Sequence, residues 1–166
     1  MAEIAIVYGS TTGNTLDACK RLANWLGDVD VLNVADIAAT DLAPYSKLIL
    51  ATSTWGMGDM QDDWEDFFPS LDEVDFTGKS VALMGLGDQQ NYPDLFVDCL
   101  AQMHDKVIER GGTVVGYTDT ASYEYEASEA ERDGKFLGLI IDEDSQGDKT
   151  DGRLKKWSNE LKNHWA

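Results

Sequence analysis

Between Gly9 and Thr15 the chain reads Gly-Ser-Thr-Thr-Gly-Asn-Thr, a run of glycines and small hydroxyl residues of the kind that can surround a tetrahedral anion. The apolar run Ala5-Ile6-Val7-Tyr8 stops at Gly9, and Leu16 opens a helical pattern that lasts to Leu26. The run is therefore a tight loop between a strand and a helix start. Amide N–H groups in a helix's first turn lack internal partners, the helix dipole adds partial positive charge, and glycine lets the backbone close around the ligand. What the loop lacks narrows the anion. No Lys or Arg falls between Gly9 and Thr15, and Asn14 follows Gly13 where a nucleotide-triphosphate loop carries Lys. With glycine only at positions 9 and 13, the G-x-G-x-x-G dinucleotide fingerprint is absent as well. The economical ligand is one terminal phosphate, held by the Ser10, Thr11, Thr12 and Thr15 hydroxyls and by main-chain N–H groups. An ordinary strand-to-helix turn capped by Asn14 or Thr15 is the competing account.

Two further segments carry glycines and one large aromatic each: Ser53-Thr54-Trp55-Gly56-Met57-Gly58-Asp59 and Gly85-Leu86-Gly87-Asp88-Gln89-Gln90-Asn91-Tyr92. A bulky ring on a glycine-flanked loop is badly placed for a core and well placed to stack on a planar ligand. Trp55 and Tyr92 could cover the two faces of such a ring.

The elements that must position these loops follow from periodicity. Apolar, β-rich segments recur at Ile4 to Tyr8, Val29 to Val34, Leu48 to Thr52, Val81 to Leu86 and Thr113 to Tyr117, with helical patterns between most of them. Helical stripes are clearest at Leu16, Cys19, Leu22, Ala23 and Leu26, at Phe96, Leu100, Met103, Val107 and Ile108, and at Leu154, Trp157 and Leu161. A short acidic helix is expected from Asp62 to Leu71. Strands alternating with helices predict an α/β fold with a doubly wound, five-stranded parallel sheet of order 2-1-3-4-5. An insertion from Thr118 to Gly134 splits the last strand, which resumes at Phe136 to Ile141. In such a sheet the ligand lies beyond the carboxyl ends of the strands, so the three loops converge on one cavity. Cys19 and Cys99 fall on opposite faces, where each serves as a small buried hydrophobe rather than a disulfide partner.

At 166 residues the chain reads as a single domain spanning 1–166, with no repeat or composition break. It holds 13 basic and 31 acidic residues, a net charge of −18, which repels nucleic acid and anionic membranes and favours basic partners. The absence of a leader-like or membrane-spanning run predicts a cytoplasmic protein. His104 and His164 lack spaced ligand partners, so no metal site is expected, and Ser10 has no His and Asp relay for nucleophilic catalysis.

At this point the sequence resembles the flavodoxins, in their long-chain branch. The resemblance rests on Tyr8-Gly9-Ser10-Thr11-Thr12-Gly13-Asn14-Thr15, Thr54-Trp55-Gly56-Met57-Gly58, Asp63-Trp64-Glu65, Asp75-Phe76-Thr77-Gly78-Lys79, Gly85-Leu86-Gly87-Asp88-Gln89, Gly134-Lys135-Phe136-Leu137-Gly138-Leu139 and Asp142-Glu143-Asp144-Ser145-Gln146. It covers essentially the whole chain, and the 118–134 insertion looks like the one that defines that branch.

The resemblance implies non-covalent FMN. Its phosphate would lie in the Ser10 to Thr15 loop, with Ser53 and Thr54 alongside, and its ring between Trp55 and Tyr92. The pyrimidine edge would meet Leu86, Gly87 and Asp88. Some relatives have polar side chains near the positions of Leu95 and Val97, which here are apolar. It further implies a low-potential one-electron carrier rather than an enzyme, a monomer, which takes electrons from a donor like ferredoxin-NADP reductase and docks basic-surfaced acceptors near Asp59 to Asp66. Rotation of the Gly56-Met57 peptide, which Gly56 permits, predicts a stabilised neutral semiquinone. Five carboxylates about 10 Å from the ring would oppose full reduction by roughly 2 kcal/mol before screening, on the order of 90 mV. The alternative is an NAD(P)H-dependent quinone or metal reductase of the same fold, for which the Trp55 and Tyr92 cover leaves little nicotinamide room.

Overall fold

The computed structural model describes residues 3–9, 13–55, 59–90 and 95–165, with the backbone alone at Trp55. In chain order the first half comprises β1 (Ile4–Tyr8), α1 (Asn14–Leu26), β2 (Asp30–Asn33), β3 (Lys47–Trp55), β4 (Asp59–Met60), α2 (Asp62–Phe67) and β5 (Ser80–Leu86). The second half comprises α3 (Cys99–Glu109), β6 (Thr113–Val115), β7 (Thr118–Asp119), β8 (Glu131–Arg132), β9 (Lys135–Phe136), β10 (Leu139–Ile141), α4 (Glu143–Gln146) and α5 (Thr150–His164).

The main sheet runs β10-β5-β3-β1-β2, and all of these pairings are parallel. β6 also pairs with β5, through Ser80 to Ala82, while β10 takes Met84 to Leu86. The fifth strand is thus cut in two along one edge of β5, and the expected 2-1-3-4-5 order holds. The segment between the halves forms its own antiparallel sheet, β7-β9-β8.

Successive side chains of a strand point to opposite faces, so the apolar runs feed two core layers. Leu48, Leu50, Val81 and Leu83 face Trp64, Phe76, Leu100 and Met103 on the α2 and α3 side. Ile49, Ala82 and Met84 face Ala18, Leu22, Leu154, Trp157 and Leu161 on the α1 and α5 side. Each fully buried Leu or Ile contributes roughly 1.5–3 kcal/mol of transfer free energy. Cys19 belongs to one layer and Cys99 to the other, so the sheet separates them.

Some stretches differ from the sequence expectation. The second helical stripe includes Phe96 and Ile108 on the sequence reading. Phe96 instead precedes α3, packed against Tyr123, Tyr125 and Phe136 of the insertion and its return, and Ile108 is exposed. The acidic helix breaks after Phe67 into a 3-10 turn over Phe68–Glu73, because Pro69 offers no N–H for another helical bond. The strand expected to reach Tyr117 ends at Val115, where Gly116 turns at φ 82° and its carbonyl accepts the Trp157 indole N–H at 2.8 Å.

Candidate functional site at the carboxyl edge of the sheet

Register brings the candidate loops together. Tyr8 pairs with Ala51 and Ser53 with Leu86, so the carboxyl ends of β1, β3 and β5 lie side by side. The Gly9 amide donates to the Ala51 carbonyl at 3.2 Å, which ties the start of the first loop to the middle strand.

Gly13 caps α1 in the left-handed conformation, φ 95°, and no described side chain caps the helix. The first amide to bond within the helix is that of Asp17, to the Gly13 carbonyl at 2.9 Å. The amides of Asn14, Thr15 and Leu16 therefore have no helical acceptor and mark an anion-seeking end. The cap is Gly13 rather than Asn14 or Thr15. Thr15 is buried, and a Cβ at Gly13 would meet nothing among the described residues within 4 Å. Arg21 points elsewhere: it reaches Glu143 at 3.1 Å and Asp151 at 3.0 Å across the α1 and α5 faces. The donor set is main-chain N–H groups and a hydroxyl, suited to a phosphate monoester. Ser10, Thr11, Thr12, Gly56, Met57, Gly58 and Tyr92 lie outside the described residues, as does the Trp55 side chain.

The second wall is braced from below by residues that the sequence reading overlooked. Buried Gln61 caps α2, its side-chain oxygen accepting the Asp63 and Trp64 amides at 3.0 and 3.3 Å, while the Trp64 indole donates to the Ala51 carbonyl at 2.7 Å. The Gln61 amide donates to the Ser53 carbonyl at 3.1 Å and to Thr52 Oγ1 at 3.2 Å. These contacts fold β4 back onto β3, with Thr54 opposite Met60. Cys99 Sγ lies 3.5 Å from Thr54 Oγ1, and burial pushes its thiol up to about 12, so it stays protonated beneath the wall. Gln is not a common capping residue, and nothing in the sequence signalled its role.

The third wall is the turn after β5. The Gly87 amide donates to the Ile141 carbonyl at 3.0 Å, and a Cβ on Gly87 would approach Val97 Cγ1 to 2.7 Å. Val97 is fully buried at φ 48°, a left-handed conformation costly for a β-branched residue and tolerated where surrounding packing enforces it. Asp88 Oδ1 accepts the Gln90 amide at 3.1 Å and the Ser145 hydroxyl at 3.2 Å. Gln89, also buried, turns inward. Its amide and its side-chain Nε2 both donate to Asp142 Oδ2, at 3.0 and 2.8 Å, and its Oε1 accepts the Glu124 amide. Asp142 caps α4, its Oδ1 accepting the Ser145 amide at 2.9 Å.

The insertion holds this wall. Ser128 Oγ donates to the Phe96 carbonyl, the Glu129 amide to Asp98 Oδ1 at 2.9 Å, and the Phe96 amide to the Ala127 carbonyl at 3.4 Å. From the other side Arg132 grips Asp105 of α3 through both carboxylate oxygens, at 2.8 and 3.0 Å.

Comparison with known proteins agrees with this geometry. The family profile described as Flavodoxin matches residues 6–157. Flavodoxin 1 of Escherichia coli (strain K12) is 46% identical over 165 residues, covering 97% of this chain and 93% of that protein. The flavodoxin of a Nostoc species is 42% identical over 167 residues, covering 99% and 98%. Among solved structures, Fusobacterium nucleatum flavodoxin bound to flavin mononucleotide superposes with a TM-score of 0.93 at 34% identity, covering 97% of each chain.

Proposed function

Because this chain belongs to the flavodoxin family, and so is an electron carrier rather than an enzyme, we propose the following roles for its residues. FMN, bound without a covalent link, supplies two successive one-electron steps, and the protein sets their relative energies. The Asn14, Thr15 and Leu16 amides receive the phosphate at the end of α1, with the Ser10, Thr11, Thr12 and Thr15 hydroxyls completing the shell and Thr54 assisting. Trp55 and Tyr92 exclude water from the two ring faces, and the turn at Leu86, Gly87 and Asp88 meets the pyrimidine edge. The Gly56-Met57 peptide would offer its carbonyl as a hydrogen-bond acceptor beside the ring, a turn that Gly56 permits.

The observation that carries this reading is a helix N-terminus begun by Gly13, with no side-chain cap and no cation among the described residues, at the meeting point of the β1, β3 and β5 ends. The chain acts as a monomer. It exchanges electrons with a donor of the ferredoxin-NADP reductase type and with acceptors whose basic patches approach Asp59, Asp62, Asp63, Glu65 and Asp66.

The test is direct titration of apoprotein with FMN. Stoichiometric uptake with quenching of flavin fluorescence is expected, and a preparation that takes up no FMN overturns the reading. Rapid NADPH oxidation by the loaded protein alone would favour the reductase alternative.

A further inference from the structure

The chain's 13 basic residues are outnumbered by 31 acidic ones, yet three of them gather round one cavity that shares no residue with the flavin loops. It lies between the insertion, the β9 to β10 return and α5, and holds about 190 Å³. Arg153 and Lys156 of α5 and Lys135 of β9 supply its cations. Its buried lining is apolar, from Trp157 and Leu139, and Tyr117 and Tyr123 add two rings.

Arg153 is half-buried, and the partners of its charge are all neutral. Nη2 donates to Ser122 Oγ at 3.1 Å and to Gln146 Oε1 at 2.6 Å, while the guanidinium carbon stands 4.0 Å from the centre of the Tyr123 ring. Nη1 is shut from solvent and has no hydrogen-bond partner among the described residues. Stitching the insertion to the helices therefore uses one nitrogen of the fork and leaves the other. None of the ion pairs among the described residues includes Arg153, Lys135 or Lys156. Asp119 and Glu160 also line the cavity, and neither belongs to those pairs. Three cations against two carboxylates make this spot locally positive on a molecule whose net charge of −18 repels anions.

An N–H shut from water without an acceptor destabilises the fold. A carboxylate answers that defect, because it takes two guanidinium N–H groups side by side and supplies the missing counter-charge. Size narrows the ligand further. The cavity has room for about six waters at ~30 Å³ each, below the roughly 300–1,000 Å³ of pockets for drug-sized ligands. A nucleotide is too large, and inorganic phosphate leaves the apolar lining unused. We propose that this cavity binds a small organic carboxylate, its anionic head on Arg153, Lys135 and Lys156 and its apolar body on Trp157, Leu139 and the tyrosine rings.

The probe is benzoate, titrated at constant ionic strength into isotope-labelled, FMN-loaded protein and followed by amide NMR, with neutral benzamide and inorganic phosphate as comparisons. Saturable shifts are expected at the Trp157 indole N–H, which bonds the Gly116 carbonyl at 2.8 Å, and at the Ser122 and Tyr123 amides. The Gly13 and Gly87 amides of the flavin loops are expected to stay still. Benzamide lacks the charge and phosphate the apolar body, so each is expected to bind about tenfold more weakly or worse. Arg153→Gln is expected to weaken benzoate binding about tenfold or more, the scale of one charge-assisted hydrogen bond. Lys156→Gln is expected to weaken it about two- to fivefold, as suits an exposed charge. Shifts that do not saturate, or benzamide or phosphate binding as tightly as benzoate, would overturn the proposal, as would a benzoate affinity that neither variant changes. Should Arg153→Gln not fold, Lys135→Gln and Lys156→Gln, both at exposed positions, decide by the same comparison. FMN uptake is read separately from the flavin absorbance, so failure of the flavin site and failure of this one are distinct results.

Discussion

Gly9 ends β1 where no larger residue fits, and the obstacle is chemical as well as steric. A Cβ there would stand 2.1 Å from Gln61 Oε1 and 2.8 Å from Trp64 Cδ1. That oxygen holds two amides of α2, and its residue is buried, so it cannot swing aside without uncapping the helix. Gly9→Ala is expected to destabilise the apoprotein by about 1–3 kcal/mol, combining a lost cap with crowding in a packed interior. Urea denaturation reads this as a lower midpoint, and FMN titration of the same variant should show weaker binding because the first and second walls share this contact. An unchanged midpoint would mean that Gln61 has another place to go. Trp64 shows why such a residue is hard to read in advance. It sits beside acidic neighbours in a short helix, yet it is fully buried because its indole N–H reaches the β3 backbone.

The insertion is attached to the rest of the molecule at two ends, and the Arg132 end can be tested by pH. Its hydrogen bonds and charge pull the Asp105 carboxyl down to about 2, from an ordinary value of 3.8. A carboxylate with a depressed folded value adds stability above the ordinary value and loses it as pH falls toward the folded one. The pair is exposed, so its contribution is about 0.2–1 kcal/mol. The stability difference between wild type and Arg132→Met is expected to be full above about pH 4 and to fade toward pH 2. Denaturation at several pH values checks this, and a difference that grows on acidification would contradict it.

Elements also separate what the sequence disclosed from what it hid. The α1 and α5 stripes were legible because one side of each helix is buried and the other solvated, which writes a period into the residues. Parallel order followed from strands alternating with helices, and the first loop from its uncharged Gly and hydroxyl composition. The start of α3 was misread because Phe96 has helical spacing to Leu100 but packs on aromatics of the insertion, a contact no local pattern encodes. The β7-β9-β8 sheet escaped notice because each strand has two residues, too few for an alternation. Gln61 was hidden because Gln is an uncommon cap, and the Gln89 to Asp142 contact because its bonds join positions 53 residues apart.

A charge of −18 on 166 residues governs how the whole molecule meets others. Asp59, Asp62 and Glu65 are exposed at the edge of the second loop, which gives a basic partner an attractive approach to the site. The rate of reduction by a basic-surfaced ferredoxin-NADP reductase is expected to fall as salt shortens the screening length from about 30 Å at 0.01 M to about 8 Å at 0.15 M. Stopped-flow mixing across that range measures it, and a flat profile would place the encounter elsewhere.

The division of the outermost strand into β6 and β10 matters beyond the site. A long, straight outer strand offers a ladder of unpaired amides on which another copy can grow a continuous sheet. Here that rim is two stubs of three residues each, parted by a glycine turn and a small cross-sheet. The longest strands, β3 and β5, are both interior. At that rim the molecule thereby offers a second copy no continuous template for fibril-like stacking.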